Sequence, residues 1–244
     1  MKKTIFFPIL IIGFVSIQQP SGIEIIKKVD NNLLSVNKFV ISKMIIHGRR
    51  ATRSVTAKSW IKGEEKSFTE YIDPPREKGT KMLKIRDNLW MYSPATDRII
   101  RISGNMLRQS VLGSDLTYED LMEDPKISAH YIPFVTGSDT LLGTDAWIVR
   151  LDARDETVAY KKRIIWVDKK KYIVLKDERY GKSGRLLKSV VIKKVEKESG
   201  RWVATHIIFK DVLKKGKGTE FIIQEVRFNV KIPPFRFSKA SLKR

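Results

Sequence analysis

The segment Thr80-Lys81-Met82-Leu83-Lys84-Ile85-Arg86-Asp87-Asn88-Leu89-Trp90-Met91-Tyr92 alternates large apolar with polar side chains on both sides of a short polar break. Alternation of period two marks a strand with one buried face, and Asp87-Asn88 has the residue types of a two-residue turn, so the segment predicts a β-hairpin. With the turn on those residues, Ile85 lies opposite Trp90 and Leu83 opposite Tyr92. Four large apolar side chains then share one face, and Lys84 and Met91 share the other. An isolated hairpin is marginal in water, so a larger sheet is implied.

Outward from the hairpin the signal stays β. A turn at Ser93-Pro94-Ala95-Thr96-Asp97 leads to a strand over 98–102. Upstream, 39–47, 54–62 and 67–72 are rich in β-branched and aromatic residues, and Asp73-Pro74-Pro75-Arg76-Glu77-Lys78-Gly79 reads as a loop. Before them Ile25, Ile26, Val29, Leu33 and Leu34 recur at three- and four-residue spacing, the pattern of an amphipathic helix over 22–35. Downstream, a helical stretch broken by glycines runs from Asn105 through Leu107, Val111 and Leu112 to 117–123, where Thr117 and Asp120 match a capping pair. Strand signals follow at 131–137, 146–151, 161–167, 172–178, 186–195, 202–209 and 219–230, with no helices between them to allow parallel crossovers. Pro233-Pro234 ends the last strand and leaves a basic tail over 235–244. No linker divides the chain, so residues 22–244 read as a single domain. It is mainly β in an α+β arrangement, a large curved antiparallel sheet with a few helices laid against it, and its concave face must be covered or filled.

The 244 residues are 42% hydrophobic and 31% charged, which fits a folded globular chain and excludes wholesale disorder or a polytopic membrane protein. Lysine and arginine number 48 against 27 acids, a formal charge of +21 that favours an anionic partner such as a phospholipid surface, an acidic protein or a nucleic acid. The absence of cysteine excludes disulfides, thiolate metal sites, thiol nucleophiles and lipidation through cysteine. Lys2 and Lys3, an apolar run of about 14 residues and then Gln18-Gln19-Pro20-Ser21-Gly22 have the layout of a secretory signal peptide, too short to span a bilayer comfortably. Residues 1–21 are therefore expected to be cleaved, leaving an unlipidated protein in the periplasm. Export argues against a nucleic acid as the partner and for an anionic membrane surface.

Nucleophile elbows, phosphate-cradling glycine loops and helical histidine pairs each leave a spacing signature, and none is present. Glu119, Asp120, Glu123 and Asp124, and the carboxylates of Asp152-Ala153-Arg154-Asp155-Glu156, read as solvated loop charges. His206 alternates with core residues as a strand histidine, and His47 and His130 lack an acidic or histidine neighbour at ligand spacing. No catalytic residue, no metal and no cofactor is expected; the chain reads as a non-enzyme. Lys169-Lys170-Lys171, Lys193-Lys194 and Lys214-Lys215 fall in turns or strand ends as solvated edges. The apolar hairpin face is either ordinary core or the lining of a cavity for acyl chains, for which apolar walls and a polar rim suffice.

One stretch is specific enough to name a family. Pro74-Pro75-Arg76-Glu77-Lys78-Gly79-Thr80-Lys81-Met82-Leu83-Lys84-Ile85, then Asn88-Leu89-Trp90-Met91-Tyr92-Ser93-Pro94 with Arg98 and Arg101-Ile102-Ser103-Gly104, then Gly113-Ser114-Asp115-Leu116-Thr117-Tyr118-Glu119-Asp120-Leu121, resembles the LolA-like outer-membrane lipoprotein-sorting family. The resemblance implies an unclosed β-barrel with helices covering its concave face. It implies a periplasmic carrier that shelters the acyl chain of a lipoprotein or a phospholipid and shuttles it towards the outer membrane, with a resistance-nodulation-division (RND)-type inner-membrane exporter as a candidate partner. On this reading Leu83, Ile85, Trp90, Tyr92, Ile100 and Ile102 form the lipid-binding cavity. Ile26, Val29 and Leu33 of the first helix, with Met106, Leu107, Val111 and Leu112, form its lid. The alternative is a secreted envelope scaffold or sensor without lipid cargo.

Overall fold

The computed structural model describes residues 19–33, 37–48, 51–141, 143–156 and 158–244. The expected signal peptide falls outside them up to position 18. Helix α1 (Gly22–Leu33) precedes β1 (Asn37–His47), β2 (Thr52–Lys62), β3 (Lys66–Asp73), β4 (Lys81–Ile85), β5 (Asn88–Ser93) and β6 (Arg98–Ile102). A segment of 3-10 turns and two short helices, α2 (Tyr118–Met122) and α3 (Ile127–His130), leads to β7 (Tyr131–Leu141). Then come β8 (Thr144–Ala153), β9 (Lys162–Asp168), β10 (Val174–Tyr180), β11 (Leu186–Glu198), β12 (Arg201–Asp211) and β13 (Gly218–Phe228).

The strands form one 13-stranded antiparallel sheet in the order β6-β5-β4-β3-β2-β1-β13-β12-β11-β10-β9-β8-β7. Two meanders are thus joined where β13 returns to pair with β1, and β6 and β7 are left as free edges, so the barrel is not closed. This topology dictates the cover of the concave face. The chain leaves the sheet at one edge, β6, and re-enters at the other, β7, so residues 103–130 must cross between the edges. They do so over the concave side, where their apolar residues meet those of the strands.

Three apolar clusters result. On the concave side of the first meander Met44, Val55, Ala57, Tyr71, Met82, Leu89 and Ile102 meet Val111, Leu116 and Tyr118 of the crossing segment. At the far end Ile25, Ile26 and Val29 of α1 pack with Ile127 of α3 and with Tyr131, Trp147, Val149, Leu151, Ile165 and Val167. On the convex side Phe68 and Leu83 are covered by Ile232, Phe237 and Leu242 of the C-terminal residues.

Two sequence expectations are corrected here. The β4–β5 turn lies one residue earlier than expected: Ile85 pairs with Asn88 and Leu83 with Trp90, with Arg86 taking positive φ, so Lys84 faces Leu89 and Tyr92 faces Lys81. Leu83, Ile85, Trp90 and Tyr92 still share a face, but it is the convex one, because the concave cluster takes Met82, Leu89 and Met91 from the same strands. The expected basic tail is likewise no free appendage, since it folds as two 3-10 turns against that convex face and buries Leu242 completely.

Helix α1 has its own anchorage. The Asp30 carboxylate accepts hydrogen bonds from the Ile127 and Ser128 amides at 2.9 and 3.1 Å, tying α1 to the start of α3. Gly22 is required where α1 begins, because a Cβ there would lie 2.7 Å from the Pro133 carbonyl oxygen of β7.

Candidate functional site

Beneath the crossing segment lies a cavity of about 250 Å³ on the concave side of β1–β5. Cross-strand partners share a face, so the register fixes its wall: Ser42 with Ala57, Met44 with Val55, Ala57 with Tyr71, Ser59 with Thr69, and Thr69 with Met82. Phe221 of β13 closes one side, and Val111, Leu116 and Leu121 close the roof.

The polar groups of this wall are largely spent on one another. Ser59 and Thr69 share a hydrogen bond at 2.9 Å, and the Tyr71 hydroxyl donates to the Met82 sulfur at 3.5 Å. Burial raises the Tyr71 phenol above its ordinary value, with Tyr118 and Glu77 adding to the effect, so it stays neutral. The interior is therefore mostly apolar, the property required to hold hydrocarbon, with Lys84 the one charged side chain among the described residues of its lining.

The roof is held by a buried charged network rising from β9, β10 and β11. Arg163 grips Asp177 through two hydrogen bonds, 2.7 and 3.1 Å, and Arg179 reaches the same carboxylate at 2.8 Å. Arg179 then turns to the crossing segment, 3.1 Å from Glu123 and 3.5 Å from Asp120. Asp120 also receives the Tyr160 hydroxyl at 2.6 Å, the Thr117 amide at 2.6 Å and the Lys188 ammonium. Burial alone would raise the Asp120 carboxyl, but the Lys188 charge and hydrogen bond, with those of Thr117 and Tyr160, outweigh it and hold the group below its ordinary value. Thr117 and Asp120 close a reciprocal capping box at the start of α2. Further along, the Asp115 carboxylate accepts from the Thr219 hydroxyl at 2.8 Å and the Asp211 amide at 2.9 Å. Lys84 of β4 donates to the Met122 carbonyl at 3.0 Å. The contacts of Arg179, Lys188, Thr219, the Asp211 amide and Lys84 join the roof to the sheet.

The sequence-selected residues are distributed as follows. Ile102 lies in the concave cluster, and Ile100, opposite Met91, shares that face but is exposed at the sheet edge. Met106, Leu107, Val111 and Leu112 pack into the same cluster from the crossing segment. Leu83, Ile85, Trp90 and Tyr92 sit behind the sheet, under the C-terminal turns. Ile26 and Val29 cover β7–β9 instead of the first meander, and the Leu33 side chain lies outside the described residues. Residues of β1–β3 that line the cavity, Ser42 to Tyr71, were not selected, because small hydroxyl-bearing strand positions carry no local mark of a cavity. Asp120, Glu123 and Arg163 were not recognised as a network, since its partners lie 14 to 68 positions apart along the chain.

Elsewhere, Glu220 sits between two histidines on the convex side, 2.6 Å from His47 and 2.7 Å from His206, although neither has an acidic neighbour in sequence. Those hydrogen bonds, that of His47 foremost, hold the Glu220 carboxyl below its ordinary value. Among the described residues no group of three or more ligand-type side chains is arranged to hold a metal ion, and no helix is long and apolar enough to cross a membrane.

The comparisons with known proteins agree with this architecture. A family model described as an uncharacterized protein matches residues 63–244, about three quarters of the chain. Among solved structures, a DUF1329 family protein from Desulfovibrio piger superposes with a TM-score of 0.83 at 23% identity, covering 91% of this chain and 97% of the other. An outer membrane lipoprotein-sorting protein domain from Vibrio parahaemolyticus gives 0.80 at 24% identity, covering 91% and 98%. A LolA superfamily protein from Nitrosomonas europaea gives 0.75 at 23%, covering 91% and 100%. No curated protein matches in sequence.

Proposed function

We propose that the chain, which belongs to the family of uncharacterized proteins matched over residues 63–244 and has the fold of the LolA superfamily and lipoprotein-sorting structures, is a non-enzymatic periplasmic carrier which takes an acyl chain into the concave cavity and shuttles its owner towards the outer membrane. One observation carries the reading: an apolar cavity of about 250 Å³ whose polar wall groups are largely satisfied internally, roofed by a segment pinned through charged side chains. Each methylene moved from water into such a site contributes roughly 0.8 kcal/mol, so a chain of ordinary length is held without any catalytic group. Release requires the roof to move or a more hydrophobic acceptor, because uniform tight binding alone transports nothing. The cargo is a lipoprotein or a lipid, and an RND-type exporter is a fitting inner-membrane partner. The signal peptide over 1–21 delivers residues 22–244 to the periplasm as one carrier domain.

A second reading, an envelope scaffold without lipid cargo, is favoured by Ile132 and Phe134, which are exposed on the edge strand β7. Native mass spectrometry with lipid extraction, on protein purified from the periplasm of an expressing bacterium, separates the two. A stoichiometric co-purified lipid or acylated peptide is expected of the carrier. A clean apo mass, with no uptake of an acyl probe, moves the assignment to the scaffold.

A further inference from the structure

The cavity has a charged antechamber. A second hollow of about 210 Å³ is lined by Lys38, Lys66 and Lys84 with Glu64 and Glu123, and it shares Ile61, Ser67, Lys84 and Leu121 with the apolar cavity. The two are thus consecutive chambers, one apolar and one basic, divided at Lys84 and Leu121.

The charges of the antechamber come from several strands. Glu123 is committed to Arg179 at 3.1 Å, Asp87, Glu123 and Asp124 all act on the Lys84 ammonium, and Lys66 lines the hollow from a position paired with Ile85 of the convex face. Among the described residues Lys38 and Lys66 make no ion pair, and Lys84 is bonded only to the Met122 and Glu123 carbonyls. Burial, with the nearby Arg201 charge, pushes the Lys38 ammonium below its ordinary value, and burial does the same at Lys84. A bound anion would favour the charged form of each.

We propose that the cargo is an anionic phospholipid, with one acyl chain in the apolar cavity and its phosphate at Lys38 and Lys84. This rests on the carrier reading and narrows it. A cavity of about 250 Å³ falls below the range of roughly 300–1,000 Å³ usual for drug-sized ligands, so it takes one chain, and a second chain stays at the mouth. The order of the chambers fixes the orientation, tail first beneath the roof and headgroup last at the lysines.

The test is titration of the mature protein with lysophosphatidylglycerol and lysophosphatidylcholine of the same acyl chain, each below its micellar concentration, with glycerol phosphate as the chainless control. The anionic lysolipid is expected to bind about tenfold more tightly, the scale of one to two lysine attractions near an anionic headgroup. A Lys38→Gln variant should abolish that preference, weakening the anionic lysolipid more than the zwitterionic one, whose choline already offsets its phosphate. Lys84 is kept, because it straps the roof. Equal binding of both lysolipids by wild type and variant overturns the headgroup assignment and leaves the carrier standing. Glycerol phosphate binding as tightly as the lysolipid overturns it too, revealing a free-phosphate site. No binding by either lysolipid overturns the carrier reading itself.

Discussion

Asp120 bears more of the roof's attachment than any neighbour, since it accepts from Lys188, Tyr160 and Thr117 and lies 3.5 Å from Arg179. Both Asp120 and Lys188 are less than a tenth exposed, so removing one charge strands the other in a poorly solvated place. Asp120→Asn is therefore expected to cost about 3–5 kcal/mol in urea unfolding. Its carboxyl is held below its unfolded value of about 3.9, so the stabilisation is whole above that pH and fades as pH falls through the lower folded-state value. Wild type should lose stability on acidification towards that range, and the variant should show a flatter profile there. A variant with the wild-type slope would remove Asp120 from the latch. In sequence Asp120 reads as a solvated loop charge and as the partner of Thr117 in a helix cap, because Tyr160, Arg179 and Lys188 lie far along the chain.

At the scale of elements, the β4–β5 hairpin shows what alternation reveals and what it hides. Period two correctly groups Leu83, Ile85, Trp90 and Tyr92 on one face, yet it does not say which face looks inward. Here both faces are apolar: Met82, Leu89 and Met91 meet the crossing segment, while Leu83 and Trp90 meet the C-terminal turns. Lys84 made the first face look solvated, although its ammonium is buried against the roof carbonyls. The tail was misjudged for a related reason, because Ile232, Phe237 and Leu242 are widely spaced among lysines and arginines and leave no periodic signal. The C-terminal turns are part of the core, since Leu242 is fully buried and Arg236 stacks over Trp60 at 4.2 Å. Leu242→Ala is expected to cost about 2–5 kcal/mol by thermal or urea unfolding while leaving acyl-probe affinity unchanged, because it lies behind the sheet. A lost affinity with unchanged stability would place the tail at the cargo site instead.

For the whole molecule, the strand order and the charge divide the labour. Two meanders joined at β1 and β13 leave edges that only a segment crossing the open face can connect, and that segment becomes the roof. An antiparallel sheet of many strands with a covered concave face was legible from strand spacing and the lack of crossover helices. The strand order was not, because no local signal says that β13 returns to β1. The formal charge of +21 acts at long range and is screened by salt, whereas burial of an acyl chain is not. Association with vesicles containing anionic lipid should therefore fall steeply between low and physiological salt, while retention of an already bound chain stays nearly constant. Joint loss of both with salt would contradict this division.

The most direct measurement is uptake of a fluorescent fatty-acid probe by wild type, by Ala57→Phe and by Trp60→Phe, three residues apart on one strand but on opposite faces. Wild type and Trp60→Phe should bind one equivalent with similar affinity, and Ala57→Phe, which fills the concave cavity, should bind at least about tenfold more weakly. Binding by a folded Ala57→Phe equal to wild type would show that the chain lies elsewhere, and the concave cavity would no longer be the carrier's site.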